Sequence, residues 1–190
     1  MGVHASHRST VVDWMLDVVT TLGRSGEPAF DGMRLSNDLD VFFLAVHLLD
    51  VYFARSEVPT DVLQLCGATA LLLAAKLTSV YVPDVQDLLR MCDGKYTSAQ
   101  LCAHEHVMFE ITRDAVWTDT LLTQLQHQNA SEPLTDARLR RTLHYCELAV
   151  VASPDQSWSV LARCMRLGRK RNRISQPEGE RLSATYRRHR

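Results

Sequence analysis

"LQLCGATALLLAAK" occupies residues 63–76, and its reading decides the fold. The segment is apolar on every side through Ala75 and meets its first charge at Lys76. A helix with no polar face is normally central, packed by other helices all round. Gly67 and Ala68 allow those neighbours to approach closely. Upstream, "VPTDV" (58–62) supplies a start: Thr60 as N-cap and Asp61 in the first turn, where the helix dipole favours a negative charge. The spacing predicts a buried helix from Asp61 to about Thr78. It ends on a cation, and a cation at the end of so apolar a segment costs free energy unless something accepts it.

Working outward, the flanking segments also carry helical periods. Ser6 is an N-cap for a helix with apolar rows at Val11, Met15, Val18 and Leu22, and at Val12, Leu16 and Val19. Gly23 ends it. Residues 24–38 hold turn-formers and many charges and are read as a loop. Asn37 or Asp38 caps a second helix, Leu39 to Ala54, rich in Phe and Leu. Pro83 starts a short helix, Asp84 to Met91. "TSAQ" (97–100) caps a fifth, Thr97 to Ile111. No strand-like alternation appears over 1–111, so the expectation is an all-α, five-helix bundle around a buried central helix. Past Val116 the signal weakens. Helices are expected over 117–126, 134–151 and 157–167, followed by a polar, basic segment read as disordered.

Composition supports one sizeable core: 190 residues, 46% hydrophobic. The net charge of -1 hides an asymmetry. Residues 163–190 carry ten basic and two acidic side chains, a balance of +8; the rest carry eleven and twenty, a balance of -9. Five cysteines show no paired spacing, disulfide framework or CxxC knuckle. "MGVHASHRS" (1–9) lacks an apolar signal core, and the apolar run 63–77, broken by Gln64 and Lys76, reads as too short to span a bilayer. A soluble intracellular protein in a reducing compartment is expected, located in the nucleus, the cytoplasm or both.

The order of these features resembles the cyclin family. "HRSTVVDWMLDV" (7–18) looks like the opening helix of a cyclin box, and "FFLAVHLLDVYF" (42–53) is similar to its second helix. "LQLCGATALLLAAK" resembles the buried third helix with its Ala-x-Lys ending. "YVPDVQDL" (81–88) matches the turn after it, and "YTSAQLCAHEHVMFE" (96–110) the fifth helix with a Glu in its middle. The resemblance implies a cyclin box over 1–116, a partial second box over 117–167 and a basic tail over 168–190. A full second repeat needs about five helices, for which there is too little chain. The shortened second half suggests a divergent member, such as those named cyclin P, or a truncated form.

What the family does then carries over as expectation. Cyclins bind and activate cyclin-dependent serine/threonine kinases, and a Lys–Glu pair on the third and fifth helices sits at that interface. The corresponding residues are Lys76 and Glu105, with Leu77 and Phe109 beside them as further kinase contacts. A second family pair, Arg8 with Asp50, ties the first helix to the second. The substrate-docking patch corresponds to His7, Thr10, Val11, Trp14 and Gln64, more polar than in cell-cycle members, so docking of hydrophobic motifs is expected to be weak. Many cyclins follow the lysine with an aromatic residue and two acids; here Leu77, Thr78 and Ser79 follow. The loop at 24–38 is longer than the family usually shows.

Plainer readings stand beside these. Lys76 in a last turn suits the dipole and can extend its amine to water. Trp14 on an apolar stripe can simply be core. "CAHEH" (102–106) spaces Cys102, His104 and His106 two apart, so they point away from one another and no shared metal is expected. Arg169, Lys170, Arg171 and Arg173 form a nuclear import signal, a nucleic-acid contact or a merely solvated tail. No nucleophile motif, phosphate-cradling loop or carboxylate pair appears, so a non-enzyme without cofactor, small-molecule substrate or membrane partner is expected. The alternatives are a cyclin-fold transcription adaptor, which would need a basic body, and a truncated isoform with no kinase-activating role.

Overall fold

The computed structural model describes residues 5–24, 31–78 and 82–115, with side chains at 7–22, 40–78 and 82–115. The readings for 117–190, including the partial second box and the Arg169–Arg173 cluster, lie outside the described residues. Within them the architecture is all-helical. In chain order the elements are α1 (Ala5–Arg24), α2 (Asp31–Arg55), a 3-10 turn (Thr60–Val62), α3 (Leu63–Thr78), α4 (Val85–Met91), α5 (Ser98–Thr112) and a second 3-10 turn (Arg113–Ala115).

Helix α3 is the hub. It packs against α1, α2, α4 and α5, and every residue from Leu65 to Ala75 is buried. Leu71 and Leu72 contribute their full side chains to the core together with Val12, Met15, Phe42, Leu48, Leu49, Leu88, Leu101 and Met108. Truncating one such leucine to alanine costs about 2–5 kcal/mol. Small residues let the surrounding helices close in. A Cβ on Gly67 would lie 3.0 Å from Val11 Cγ1, 3.1 Å from Trp14 Cζ3 and 3.2 Å from Met15 Cγ. The absent side chain is therefore what brings α1 down onto α3.

By length and composition Thr60–Thr78 could cross a membrane, contrary to the expectation that the run is too short; 67% of that window is buried among the other helices, as a core helix should be. The start of α3 also differs. Thr60 opens a 3-10 turn behind Pro59 and no side chain caps it. The loop expected at 24–38 is shorter as well: α1 runs through Gly23 to Arg24, and α2 begins at Asp31. The stretch 31–38 is polar and carries Gly32, which made it look like loop. It contains no proline, however, and Asp31 stands where the helix dipole favours an acid.

Local signals set the remaining elements. Asp84 caps α4 by accepting from the Gln86 amide at 2.7 Å. After α4 the chain reverses through Asp93 and Gly94, both left-handed (φ 53° and 66°). Thr97 and Gln100 then close a reciprocal capping box on α5, which satisfies two end donors at once. Lys95 Nζ and Tyr96 OH both donate to the Asp61 carbonyl at 2.8 Å, fastening this turn to the start of α3.

Candidate functional site

The fold brings the end of α3 beside α5. Lys76 Nζ donates to Glu105 Oε1 at 2.5 Å, across 29 residues of chain. The lysine side chain is 47% exposed and the glutamate 17%. The carboxylate is thus set into the surface and the ammonium lies over it. An ammonium has three donors and no acceptor; Glu105 takes one, leaving donors for acceptors brought by another molecule. A pair this open to water adds little to stability, about 0.2–1 kcal/mol at most, so its interest is as a fixed, oriented cation.

Exposed apolar side chains lie close to the pair along the chain. Leu77 follows Lys76 in the last turn of α3, and Phe109 lies one turn after Glu105 on the same flank of α5. Leu77 is 44% exposed, Phe109 40%, and Val82, just before α4, 44%. Large apolar groups left open to water are a feature of protein-binding surfaces. Thr78, where many cyclins carry an acid, turns its hydroxyl back onto the Ala74 carbonyl at 2.8 Å.

Arg8 and Asp50 meet in a bidentate pair, Nε–Oδ1 at 2.6 Å and Nη2–Oδ2 at 2.8 Å. The arginine side chain is 6% exposed and the aspartate 21%. Burial pushes the Asp50 carboxyl up, against the pull of the Arg8 guanidinium. The pair cross-links α1 to α2 and thereby sets where α1 lies on α3. Of the residues matched to a docking patch, Thr10 is exposed and His7, Trp14 and Gln64 are half-buried. Val11 is 7% exposed and packs toward Gly67, so it belongs to the core and not to an open patch.

Several contacts had no sequence reading. Arg55 pairs with Asp114 (2.5 and 3.0 Å) and also donates to the Ile111 carbonyl at 2.7 Å. These bonds lift the Arg55 guanidinium above its ordinary value and lower the Asp114 carboxyl, in each case chiefly through the hydrogen bond between them. His47 Nε2 lies 3.0 Å from the Ala115 carbonyl. Together these contacts fasten the end of α5 to α2. They join residues 56 to 68 apart in sequence, and no local pattern reports them. On "CAHEH", Cys102 and His106 face solvent while His104 turns inward to Tyr52, Cys66 and Thr69.

An all-helical box around a buried central helix, with a lysine–glutamate pair joining its third and fifth helices, is the arrangement that the resemblance to cyclins implies. The comparisons agree. Residues 32–111 match the family model for the cyclin N-terminal domain. Cyclin-O of Homo sapiens is 29% identical over 95% of this chain and 51% of its own length. The G2/mitotic-specific cyclin S13-7 of Glycine max is 31% identical over 61% of this chain and 39% of its own, and Cyclin-A2 of Xenopus laevis 27% over 76% and 32%. The chain therefore carries a cyclin N-terminal domain over residues 32–111. It spans about half the length of Cyclin-O and less of the other two. The likeness to Cyclin-O continues well past residue 111, beyond the box itself.

Proposed function

We propose that this protein is a regulatory, non-catalytic subunit that binds a cyclin-dependent protein kinase through α3 and α5 and acts in control of the cell cycle, in the nucleus, the cytoplasm or both. The observation that carries this reading is the Lys76–Glu105 pair, held at 2.5 Å, with exposed Leu77 next to the lysine in sequence and exposed Phe109 one helical turn after the glutamate. The similarity to a G2/mitotic-specific cyclin and to Cyclin-A2 supports the same class. Chemically, Lys76 would offer its remaining donors to backbone carbonyls of the kinase while Leu77 and Phe109 supply apolar contact. Truncating one partner of a pair that becomes desolvated on binding costs about 2–5 kcal/mol. The uncharged Leu77–Thr78–Ser79 run after the lysine removes acidic contacts that many cyclins have, so the preferred kinase or the degree of activation should differ from theirs.

The test is a binding measurement by interferometry between the full chain and a panel of purified cyclin-dependent kinases. At least one kinase should bind, and Lys76→Glu should weaken it at least tenfold. Unchanged binding by that variant would show that the partner docks elsewhere. Phosphorylation of a generic substrate by the same complex then decides whether binding also activates.

A further inference from the structure

The core of the box contains a polar cluster that the partner-facing pair does not use. His104 stands next to Glu105 on α5 but points inward. Its Nδ1 lies 3.2 Å from Thr69 Oγ1. Its Nε2 lies 3.3 Å from Tyr52 OH and 3.6 Å from Cys66 Sγ. The Tyr52 and His104 rings meet edge-on, centroids 5.4 Å apart. Thr69 and Cys66 are completely buried and Tyr52 nearly so.

The proton directions follow by exclusion. The Thr69 hydroxyl donates to the Leu65 carbonyl at 2.7 Å, which uses its only proton. Toward His104 it can only accept, so Nδ1 carries hydrogen. The neutral ring then presents a bare Nε2, which accepts the Tyr52 hydroxyl proton, with the Cys66 thiol as a second, weaker donor. The imidazole is thereby held from α2 and α3 at once. Elsewhere on its core face α5 presents Leu101, Met108 and Thr112, and the Thr112 hydroxyl is spent on the Met108 carbonyl. Apolar contact is non-directional and methionine adapts to its surroundings, so neither fixes the rotation of a helix about its axis. Hydrogen bonds weaken steeply off line. Glu105 sits about 100° further round the helix, and any rotation that breaks the His104 bonds swings Glu105 away from Lys76.

We propose that the Tyr52–Cys66–Thr69–His104 cluster pins the rotational register of α5 on α3, and that His104 is thereby a positioning residue for the Lys76–Glu105 pair. Its consequence for binding rests on the reading of that pair as the kinase contact; the pinning itself does not. The titratable groups facing the ring are Tyr52 from α2 and Cys66 from α3, and its neighbour Glu105 is engaged by Lys76. Burial lowers the basicity of His104, in keeping with a neutral ring that works as donor and acceptor together.

The test uses the full chain and NMR. With 15N-labelled histidine, His104 should show the Nδ1–H tautomer at pH 7, and Thr69→Val should abolish that preference. A nuclear Overhauser contact between the Lys76 ε-methylene and the Glu105 γ-methylene should be present in the wild type. It should fall by more than half in His104→Met, which fills the space without the bonds, and be largely kept in His104→Asn, which retains a donor near the Nδ1 position. Should His104→Met fail to fold, Thr69→Val provides the same comparison. An Nε2–H tautomer in the wild type, or an undiminished contact in both variants, overturns the proposal. Neither reading involves a kinase. Loss of kinase binding by Lys76→Glu with an unchanged contact in His104→Met would therefore sink the pin and leave the proposed function standing, and the reverse result would do the opposite.

Discussion

Replacing Arg8 by methionine is the sharpest test of how the box is assembled. The guanidinium makes two short bonds to Asp50, at 2.6 and 2.8 Å, and its side chain is 6% exposed. Methionine preserves much of the packing volume and removes the charge. A fully buried pair broken on one side costs about 3–5 kcal/mol, whereas a solvent-exposed pair costs less than about 1. Asp50 retains some solvent contact, with 21% of its side chain exposed, so the lower end applies and the expected loss is about 3 kcal/mol. Against a typical stability of about 5–15 kcal/mol this is large. The loss should also depend on pH. Burial already pushes the Asp50 carboxyl above its ordinary value, and without Arg8 it moves higher. A raised acid binds its proton in the folded state first, so folding is favoured as pH falls through that range. The penalty of Arg8→Met should therefore be greatest at pH 7 and shrink toward pH 4–5. Urea unfolding followed by circular dichroism at both pH values measures it. The double variant Arg8→Met with Asp50→Leu, which removes both charges, should recover most of the loss. A penalty below about 1 kcal/mol at pH 7, or one that does not vary with pH, would refute the reasoning.

Four further outcomes follow from named contacts. Gly67→Ala forces a Cβ to within 3.0–3.2 Å of Val11, Trp14 and Met15; overpacking of about 1–3 kcal/mol outweighs the helix-propensity gain of about 1 kcal/mol, so the melting temperature should fall. Thr97→Ala removes the capping box of α5 and should cost about 1 kcal/mol in urea unfolding, with Thr97→Ser restoring it. Cys66 and Cys92 are buried with thiols pushed up to about 12 and about 11, so iodoacetamide and peptide mapping of the native protein should label Cys102 and spare both; labelling of Cys66 would contradict the packing of α3. Burial holds the folded-state value of His104 below that of the unfolded chain, so its contribution is complete above about pH 6.5 and is lost as pH falls below it. The stability advantage of wild type over His104→Asn should narrow below that pH in parallel urea titrations.

Different parts of this structure were legible in the sequence for different reasons. Helix α3 was legible because an apolar helix with no polar face has one place to go. The cap at Thr97 was legible because capping is local chemistry; Asp84 was read as the first residue of α4, whereas it stands just before that helix as its cap. The start of α2 was not. Residues 31–38 are polar and include a glycine, and the helix there extends an apolar segment that begins at Leu39. The Lys76–Glu105 and Arg8–Asp50 partners lie 29 and 42 residues apart. Composition and periodicity cannot pair such residues, and the family resemblance alone suggested them. Arg55 with Asp114 had no counterpart in that resemblance and went unread. His104 was considered only as a metal ligand with Cys102 and His106. The overlooked signal was Thr69, a hydroxyl in the middle of an otherwise apolar helix: it satisfies its proton on Leu65 and keeps its lone pairs for a donor from another helix.

The proposed function stands or falls with the pair between α3 and α5 as the contact with a kinase. The most direct measurement is co-purification from cells of the tagged full chain and its Lys76→Glu variant, with mass-spectrometric identification of what each retains. A cyclin-dependent kinase should be retained by the wild type and lost with the variant, the two proteins having equal cooperative melts. A kinase retained equally by both, or no kinase with a well-folded wild type, would contradict it.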